Sequence, residues 1–150
     1  MSAHRFALLL SIAMAGLAGG QTWKASAGRE KQEVKAARTW SGVFKSETDE
    51  ALARHAPSRR YLSTDKQWSA LWKAWRSNEQ VPRIDFTKEL VLVETSDGPN
   101  QVGIRADLDE KGNLTTQSHQ TLMAGPGFGY TMITIARQGI KTINGRALEQ

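Results

Sequence analysis

The sequence predicts an α+β domain with one principal α-helix packed on a mainly antiparallel sheet of about six strands. Three observations lead to this prediction. Residues 64–75 (TDKQWSALWKAW) carry tryptophan and leucine at helical spacing. Residues 90–93 (LVLV) form an apolar run, which is typical of a strand buried on both faces. Segments that alternate apolar and polar residues follow, separated by short turns, and this pattern is typical of antiparallel strands.

The predicted helix has a single apolar face. Trp68, Leu71, Trp72 and Trp75 occupy positions i, i+3, i+4 and i+7, so their side chains share one side of a helix. Residues 64–67 match the S/T-x-x-E/Q capping box, which marks the helix start. Exposed indoles can stack on sugars or bases, but three of them together would favour aggregation. We therefore expect this face to be buried against the sheet.

The strands are predicted from alternation and from the turns between them. A short extended run at 59–63 leads into the helix. The predicted strands span 39–45, 89–95, 101–108, 114–122, 130–137 and 140–143. Turn signals separate them, and the strongest is Asn144-Gly145, the dipeptide favoured in two-residue hairpin turns.

The chain divides into three parts. Residues 1–20 have a basic start and an apolar run (6–18), and small residues precede Gln21, so we expect a secretory signal peptide. An uncleaved anchor is the alternative, but the run is shorter than the roughly 20 residues that a spanning helix needs. Residues 21–38 are predicted to be a flexible polar tether, and residues 39–150 a single domain. The expected product is exported, periplasmic or extracellular, without a stable membrane span after processing.

Composition removes several function classes. The chain has 150 residues, a formal net charge of +5 and no cysteine, so it has no disulfide, thiolate nucleophile or cysteine-ligated metal centre. Its basic residues are scattered among acidic ones, whereas a nucleic-acid-binding protein clusters them on one face. We predict no nucleic-acid partner and no cofactor.

The loop sequence GPGFG offers the clearest local binding motif. Its backbone N–H groups could cradle an anion, although it lacks the Gly-Lys-Ser/Thr of a P-loop and a strand is predicted to follow it. The alternative is an irregular turn that tucks Phe128 onto the core. We take Gly125, Gly127, Phe128 and Gly129, together with His119 on the neighbouring polar strand, as candidate binding residues.

No catalytic or metal-binding set is predicted. His55 and His119 are not at H-x-x-x-H spacing, and no G-x-S-x-G motif is present. Asp85 is the most notable carboxylate because it lies between two apolar residues just before the apolar strand. It is either a buried acid with a shifted pKa or a cap that accepts backbone N–H bonds in the connector.

The order of elements from Tyr61 onward resembles the C-terminal domain of the protease-complex subunit PrcB group and small exported proteins of unknown function. The residues that carry this resemblance are Trp68, Leu71, Trp72, Pro82, Asp85, Phe86, Lys88 and Glu89. The resemblance implies a helix followed by an apolar core strand and implies no catalytic residues.

The leading functional hypothesis is a small exported domain that acts by binding or as a structural module of the cell envelope, with another envelope protein as its partner. Enzyme activity is the less favoured reading. One alternative is a hydrolase with a site near Asp85, His119 and the GPGFG loop. The other is carbohydrate binding through Trp40 or Tyr130.

Overall fold

The computed structural model describes residues 30–149, so the predicted signal peptide and residues 21–29 of the predicted tether lie outside the described residues. Within this range the chain forms nine strands and two short helices. The strands are β1 (Lys31–Glu33), β2 (Arg38–Phe44), β3 (Tyr61–Leu62), β4 (Glu89–Thr95), β5 (Val102–Asp109), β6 (Asn113–Gln120), β7 (Phe128–Ala136), β8 (Thr142–Ile143) and β9 (Arg146–Ala147). The helices are a 3-10 helix (Glu47–His55) and α1 (Asp65–Trp75).

The strands belong to two separate sheets. The four-stranded sheet has the order β2-β7-β4-β3, and all its neighbours are antiparallel. The five-stranded sheet has the order β1-β5-β6-β8-β9, in which β6 and β8 are parallel and the other pairs antiparallel. The four-stranded sheet therefore combines strands from distant parts of the sequence.

The four-stranded sheet is the middle layer of three. Val91 and Val93 of β4 belong to a core cluster that contains the buried side chains of α1. Leu90 and Leu92 belong to a second cluster that reaches the five-stranded sheet. All four are at most 2% exposed, so the prediction that residues 90–93 form a strand buried on both faces is confirmed.

The predicted fold class is wrong. The described chain is mostly β, with two sheets and two short helices, instead of one principal helix on a single sheet of about six strands. Alternation shows that one face of a strand is buried, but it carries no information about which sheet the strand joins. In addition, β8 and β9 have two residues each and are too short to show a period.

The predicted tether also needs correction where the structure describes it. Residues 31–33 form β1, which pairs antiparallel with residues 107–109 of β5, and Val34 packs against the second core cluster. The three strand residues are charged or polar and exposed, because β1 lies at the edge of its sheet. An edge strand held by backbone hydrogen bonds has no apolar pattern that sequence reading can detect.

The start of α1 follows the predicted capping box with a small shift. The Thr64 hydroxyl accepts the backbone N–H of Gln67 at 3.3 Å. The Gln67 side chain reaches back to the N–H of Ser63, one residue before the cap, at 3.2 Å. Both bonds satisfy backbone donors that the helix itself leaves unpaired.

The tryptophan face of α1 is buried, as the sequence predicts. Trp68, Trp72 and Trp75 are at most 5% exposed. Their indole N–H groups donate to the carbonyls of Pro82 (2.8 Å), Glu79 (3.2 Å) and Leu52 (2.8 Å), respectively. Each ring thus places apolar area in the core and also fixes a backbone position outside the helix.

Replacing Trp72 with alanine should lower the free energy of unfolding by about 3–5 kcal/mol. The substitution removes a fully buried ring that meets Trp40 edge-on at 5.5 Å and leaves the carbonyl of Glu79 without its donor. Chemical denaturation monitored by circular dichroism measures the loss. Lys73→Ala, at the next and exposed position of α1, is the control, and equal stability of the two variants would contradict the core assignment.

Candidate functional site

Backbone N–H groups of the glycine-rich segment make hydrogen bonds within the chain itself. The N–H of Gly127 donates to a carboxylate oxygen of Glu50, in the 3-10 helix, at 3.1 Å. The N–H of Gly129 donates to the hydroxyl of Ser96 at 2.9 Å. Two of the predicted binding glycines are therefore engaged in joining the loop to the domain.

Tight packing explains why glycine and phenylalanine occupy this segment. A Cβ atom on Gly129 would lie 1.6 Å from the backbone oxygen of Asn100, a distance no side chain tolerates. Phe128 is 2% exposed and its ring stacks on Phe44 at 4.9 Å between centroids. The alternative of an irregular turn that places Phe128 on the core is confirmed, whereas Gly125 is exposed.

Asn100 organises the loop that precedes these glycines. Asn100 is only 4% exposed, and its side chain makes four hydrogen bonds. Its Nδ2 donates to the carbonyls of Asp97 (2.7 Å) and Met123 (3.2 Å). Its Oδ1 accepts from the Thr121 hydroxyl (3.1 Å) and from the Met123 N–H (2.6 Å). Loop 121–126 is thereby attached to the turn after β4.

The same loop carries the two large apolar side chains that are exposed in the described part of the chain. Leu122 is 92% exposed and Met123 is 56% exposed. Single exposed apolar residues are common, but here two adjacent ones stand on a loop whose backbone is held at Met123 by Asn100. The two side chains are therefore exposed on a loop whose backbone position is fixed.

The remaining predicted residues lie elsewhere. His119 is exposed on β6, and its ring covers Gly103 of β5, where an added Cβ would lie 2.3 Å from Nε2. Asp85 is exposed and accepts the N–H of Thr87 at 3.1 Å, so the capping interpretation of Asp85 is confirmed. Hydrogen bonding to Thr87, followed by Lys88, lowers the pKa of Asp85 below 3.8.

Asp85, His119 and the glycine loop do not form one site. Asp85 precedes β4, whereas Phe128 lies beyond the far end of that strand, where Thr95 pairs with Tyr130. The seven residues of β4 separate them, about 20 Å at the usual rise of a strand. Gly127 and Phe128 line a cavity of about 330 Å³ to which neither Asp85 nor His119 contributes.

The aromatic residues considered for carbohydrate binding are occupied by packing. Tyr130 is 4% exposed, and its hydroxyl accepts a hydrogen bond from Arg76 at 3.0 Å. Trp40 is half-buried and packs on Trp68 and Trp72 at 5.3 and 5.5 Å between centroids. Neither ring presents an open face of the kind that stacks on a sugar.

Glu94 is a buried carboxylate at the end of β4. Its side chain is 5% exposed, and its partner is Arg60, 62% exposed, at 3.1 Å. Burial raises the pKa of Glu94 above the ordinary 4.5, and the guanidinium of Arg60 opposes this rise without cancelling it. The carboxylate of this ion pair is therefore buried, whereas its guanidinium is exposed to solvent.

Two further properties concern residues 30–149 only. No three histidine or acidic side chains in this range are grouped as ligands for a metal ion. No helix in it has the length and apolar character needed to cross a bilayer.

No family model matches this chain, and comparisons with curated proteins and with solved structures found no significant match. The resemblance to the PrcB group therefore stays a prediction.

Sequence reading missed Asn100, Leu122 and Met123. Asn100 was visible only as part of a turn signal, because two of its three partners, Thr121 and Met123, are more than 20 residues away in the sequence. Leu122 and Met123 end a polar strand and precede a loop, and this position at the edge of a predicted element was the signal that could have identified them.

Replacing Asn100 with alanine should destabilise the protein by about 1–3 kcal/mol, because the Met123 N–H and two carbonyls lose their partner. It should also accelerate hydrogen exchange at the Met123 amide. Thermal unfolding and exchange measured by NMR test both effects. Asn78→Ala, at an exposed asparagine after α1, should change neither stability nor exchange. Unchanged exchange in Asn100→Ala would show that Asn100 does not hold the backbone at Met123.

Glu94→Gln should change how stability depends on pH. A carboxyl whose pKa is raised in the folded state binds its proton more tightly when folded, so folding is favoured at low pH. This advantage disappears as the pH rises from 4.5 through the raised pKa of Glu94. The melting temperature of Glu94→Gln relative to the wild type should therefore increase from pH 4 to pH 7. Glu47→Gln, at an exposed position, supplies the baseline, and a difference that falls with pH would contradict the assignment.

Proposed function

We propose that this domain is a small exported protein-binding module, and that loop 121–126 inserts Leu122 and Met123 into an apolar pocket of its partner. The observation that carries this proposal is the 92% exposure of Leu122 beside Met123, on a backbone held by the buried Asn100. Water-exposed apolar groups are unfavourable for the isolated protein, whereas burial in a partner makes them favourable.

The surroundings of the loop favour a protein over a membrane surface. Between Gln117 and Phe128 the sequence has no lysine or arginine, and basic residues are what draw a loop to anionic lipid. Two acidic residues bond to the segments beside the loop: the backbone carbonyl of Asp97 accepts from Asn100, and the carboxylate of Glu50 accepts from Gly127. The partner pocket is expected to have a polar rim around its apolar centre.

The energetics fit a specific but moderate interaction. Full burial of a leucine and a methionine contributes roughly 1.5–3 kcal/mol each. Because Asn100 already holds the loop backbone at Met123, less ordering entropy is lost on binding than with a mobile loop. The two side chains act as anchors, and the polar rim must supply the rest of the affinity.

Export is the second part of the proposal, and the sequence pattern of residues 1–20 supports it. If the full chain is produced in a bacterium with a Sec pathway, the mature protein should begin at Gln21. Intact-mass measurement of the protein in the envelope fraction shows whether this cleavage occurs. An uncleaved chain retained in the cytoplasm would contradict export without affecting the loop proposal.

A photo-crosslinking residue in place of Leu122 tests the binding site. We expect it to capture one discrete envelope protein, and the same residue at Lys66, exposed on α1, should not capture that protein. The double variant Leu122→Ser/Met123→Ser should lose the complex while its stability changes by less than about 0.5 kcal/mol, because both side chains are in solvent.

Three results would contradict the proposed partner class. Identical capture from position 66 would show that contact is nonspecific. Crosslinks between two copies of this chain, with a dimer in sedimentation velocity, would indicate self-association. Co-flotation with anionic vesicles that is abolished by Leu122→Ser/Met123→Ser would indicate a membrane surface.

The hydrolase alternative gains no support, because its residues are far apart. We therefore do not extend the proposal to catalysis.

A further inference from the structure

A second surface of the domain carries a cavity lined by three arginines. The cavity has a volume of about 350 Å³ and lies where β3, at the edge of one sheet, faces β8 and β9 of the other. Its arginines are Arg59, Arg60 and Arg146, and no aspartate or glutamate lines it. We call it the arginine cavity.

The positive charge in the arginine cavity is only partly balanced. Arg59 pairs with Glu149 at 2.8 Å, and Arg60 pairs with the buried Glu94 at 3.1 Å. Arg146 makes no ion pair with any residue in the range 30–149. Three guanidinium groups thus face two carboxylates, and both carboxylates lie outside the lining.

The backbone at Arg60 has a conformation that is unusual for a residue with a side chain. Arg60 has φ +59°, and the only other non-glycine residue of the described chain with positive φ is Asn144, which lines the same cavity. Asn144 precedes Gly145 in a tight hairpin, where positive φ is usual. Arg60 ends a turn, donating its N–H to the carbonyl of Pro57 at 2.9 Å, at a position where glycine would fit with less strain.

The polar wall opposite Arg60 is held rigidly. The Asn144 side chain accepts the N–H of Thr116 at 2.9 Å and donates to the Thr116 hydroxyl at 2.8 Å. These bonds fix the turn that leads directly into Arg146. One wall of the cavity is therefore held by hydrogen bonds between Asn144 and Thr116, and its lining includes the three arginines.

An adjoining cavity of about 350 Å³ shares Ser58, Arg59 and Tyr61 with the arginine cavity. Its walls include the apolar residues Leu62 and Leu71, and also Glu149, whose carboxylate pairs with Arg59. A molecule that occupied both would place a charged group among the arginines and an uncharged organic part against these leucines.

We propose that the arginine cavity binds the oxyanion group, phosphate or carboxylate, of a small organic ligand whose body lies in the adjoining cavity. Guanidinium groups suit this chemistry because their parallel N–H donors match two oxygens of a phosphate or carboxylate. The absence of acidic lining residues leaves the charge of Arg146 for the ligand. The volume exceeds what a bare phosphate needs, which favours an organic anion.

Isothermal titration calorimetry with four probes tests the proposal on the full chain: inorganic phosphate, phenyl phosphate, phenylacetate and benzyl alcohol. Phenyl phosphate should bind more tightly than inorganic phosphate because it uses both cavities. Comparison with phenylacetate identifies the preferred oxyanion. Benzyl alcohol, which has no charge, should not bind.

Arg146→Gln should weaken the binding of the preferred anion roughly 10-fold or more, the usual size for one charge-assisted hydrogen bond. Arg83→Gln removes the same charge from an exposed position in the connector before β4 and should leave the affinity unchanged. The loop variant Leu122→Ser/Met123→Ser should also bind the anion normally, so this inference and the loop proposal can fail separately.

Chemical-shift mapping locates the site independently of affinity. Added anion should shift the backbone amides of Arg59, Tyr61 and Arg146. Three results would overturn the proposal: no binding of phenyl phosphate or phenylacetate at millimolar concentration, equal weakening by Arg146→Gln and Arg83→Gln, or shifts confined to another surface.

Discussion

The three buried indoles of α1 are the contact on which the rest of the structure depends. Trp68 and Trp72 bind the connector between α1 and β4, and Trp75 binds the 3-10 helix. Their rings also fill the space over the four-stranded sheet. Removing one ring therefore affects both the core and the path of a connector, because an apolar layer and a backbone hydrogen bond belong to the same side chain.

The sequence predicts the parts of the fold that depend on local pattern. The indole face of α1, its cap at Thr64 and the doubly buried β4 follow from periodicity and capping chemistry. The separation into two sheets does not, because β2 pairs with β7 across about 90 residues and β1 with β5 across more than 70. Such pairings are chosen by tertiary packing, which a local pattern does not encode.

The candidate site was predictable in chemistry but not in position. Of the two readings of the glycine loop, the structure supports the irregular turn with Phe128 on the core, and the N–H of Gly127 donates to Glu50 of the same chain. The glycine segment follows Leu122 and Met123 in the sequence and is itself bonded to the rest of the domain. Asn100 could not be identified from sequence because a buried amide and an exposed one look alike until their partners are known.

The two proposed surfaces have opposite chemistry. Loop 121–126 presents two exposed apolar side chains, whereas the lining of the arginine cavity contains three arginines and no carboxylate. A domain with both can recognise a protein partner and a small anion at once, since occupation of one surface does not require atoms of the other.

The position of β7 in the chain has a consequence for biosynthesis. This strand lies between β2 and β4, yet it is made after both of them, so neither neighbour can complete its pairing until residue 136 has left the ribosome. Both core clusters contain residues of β7, so neither cluster can be complete before this strand has been synthesised. The fold is therefore completed by a strand that comes late in the described sequence, after the two strands that it joins.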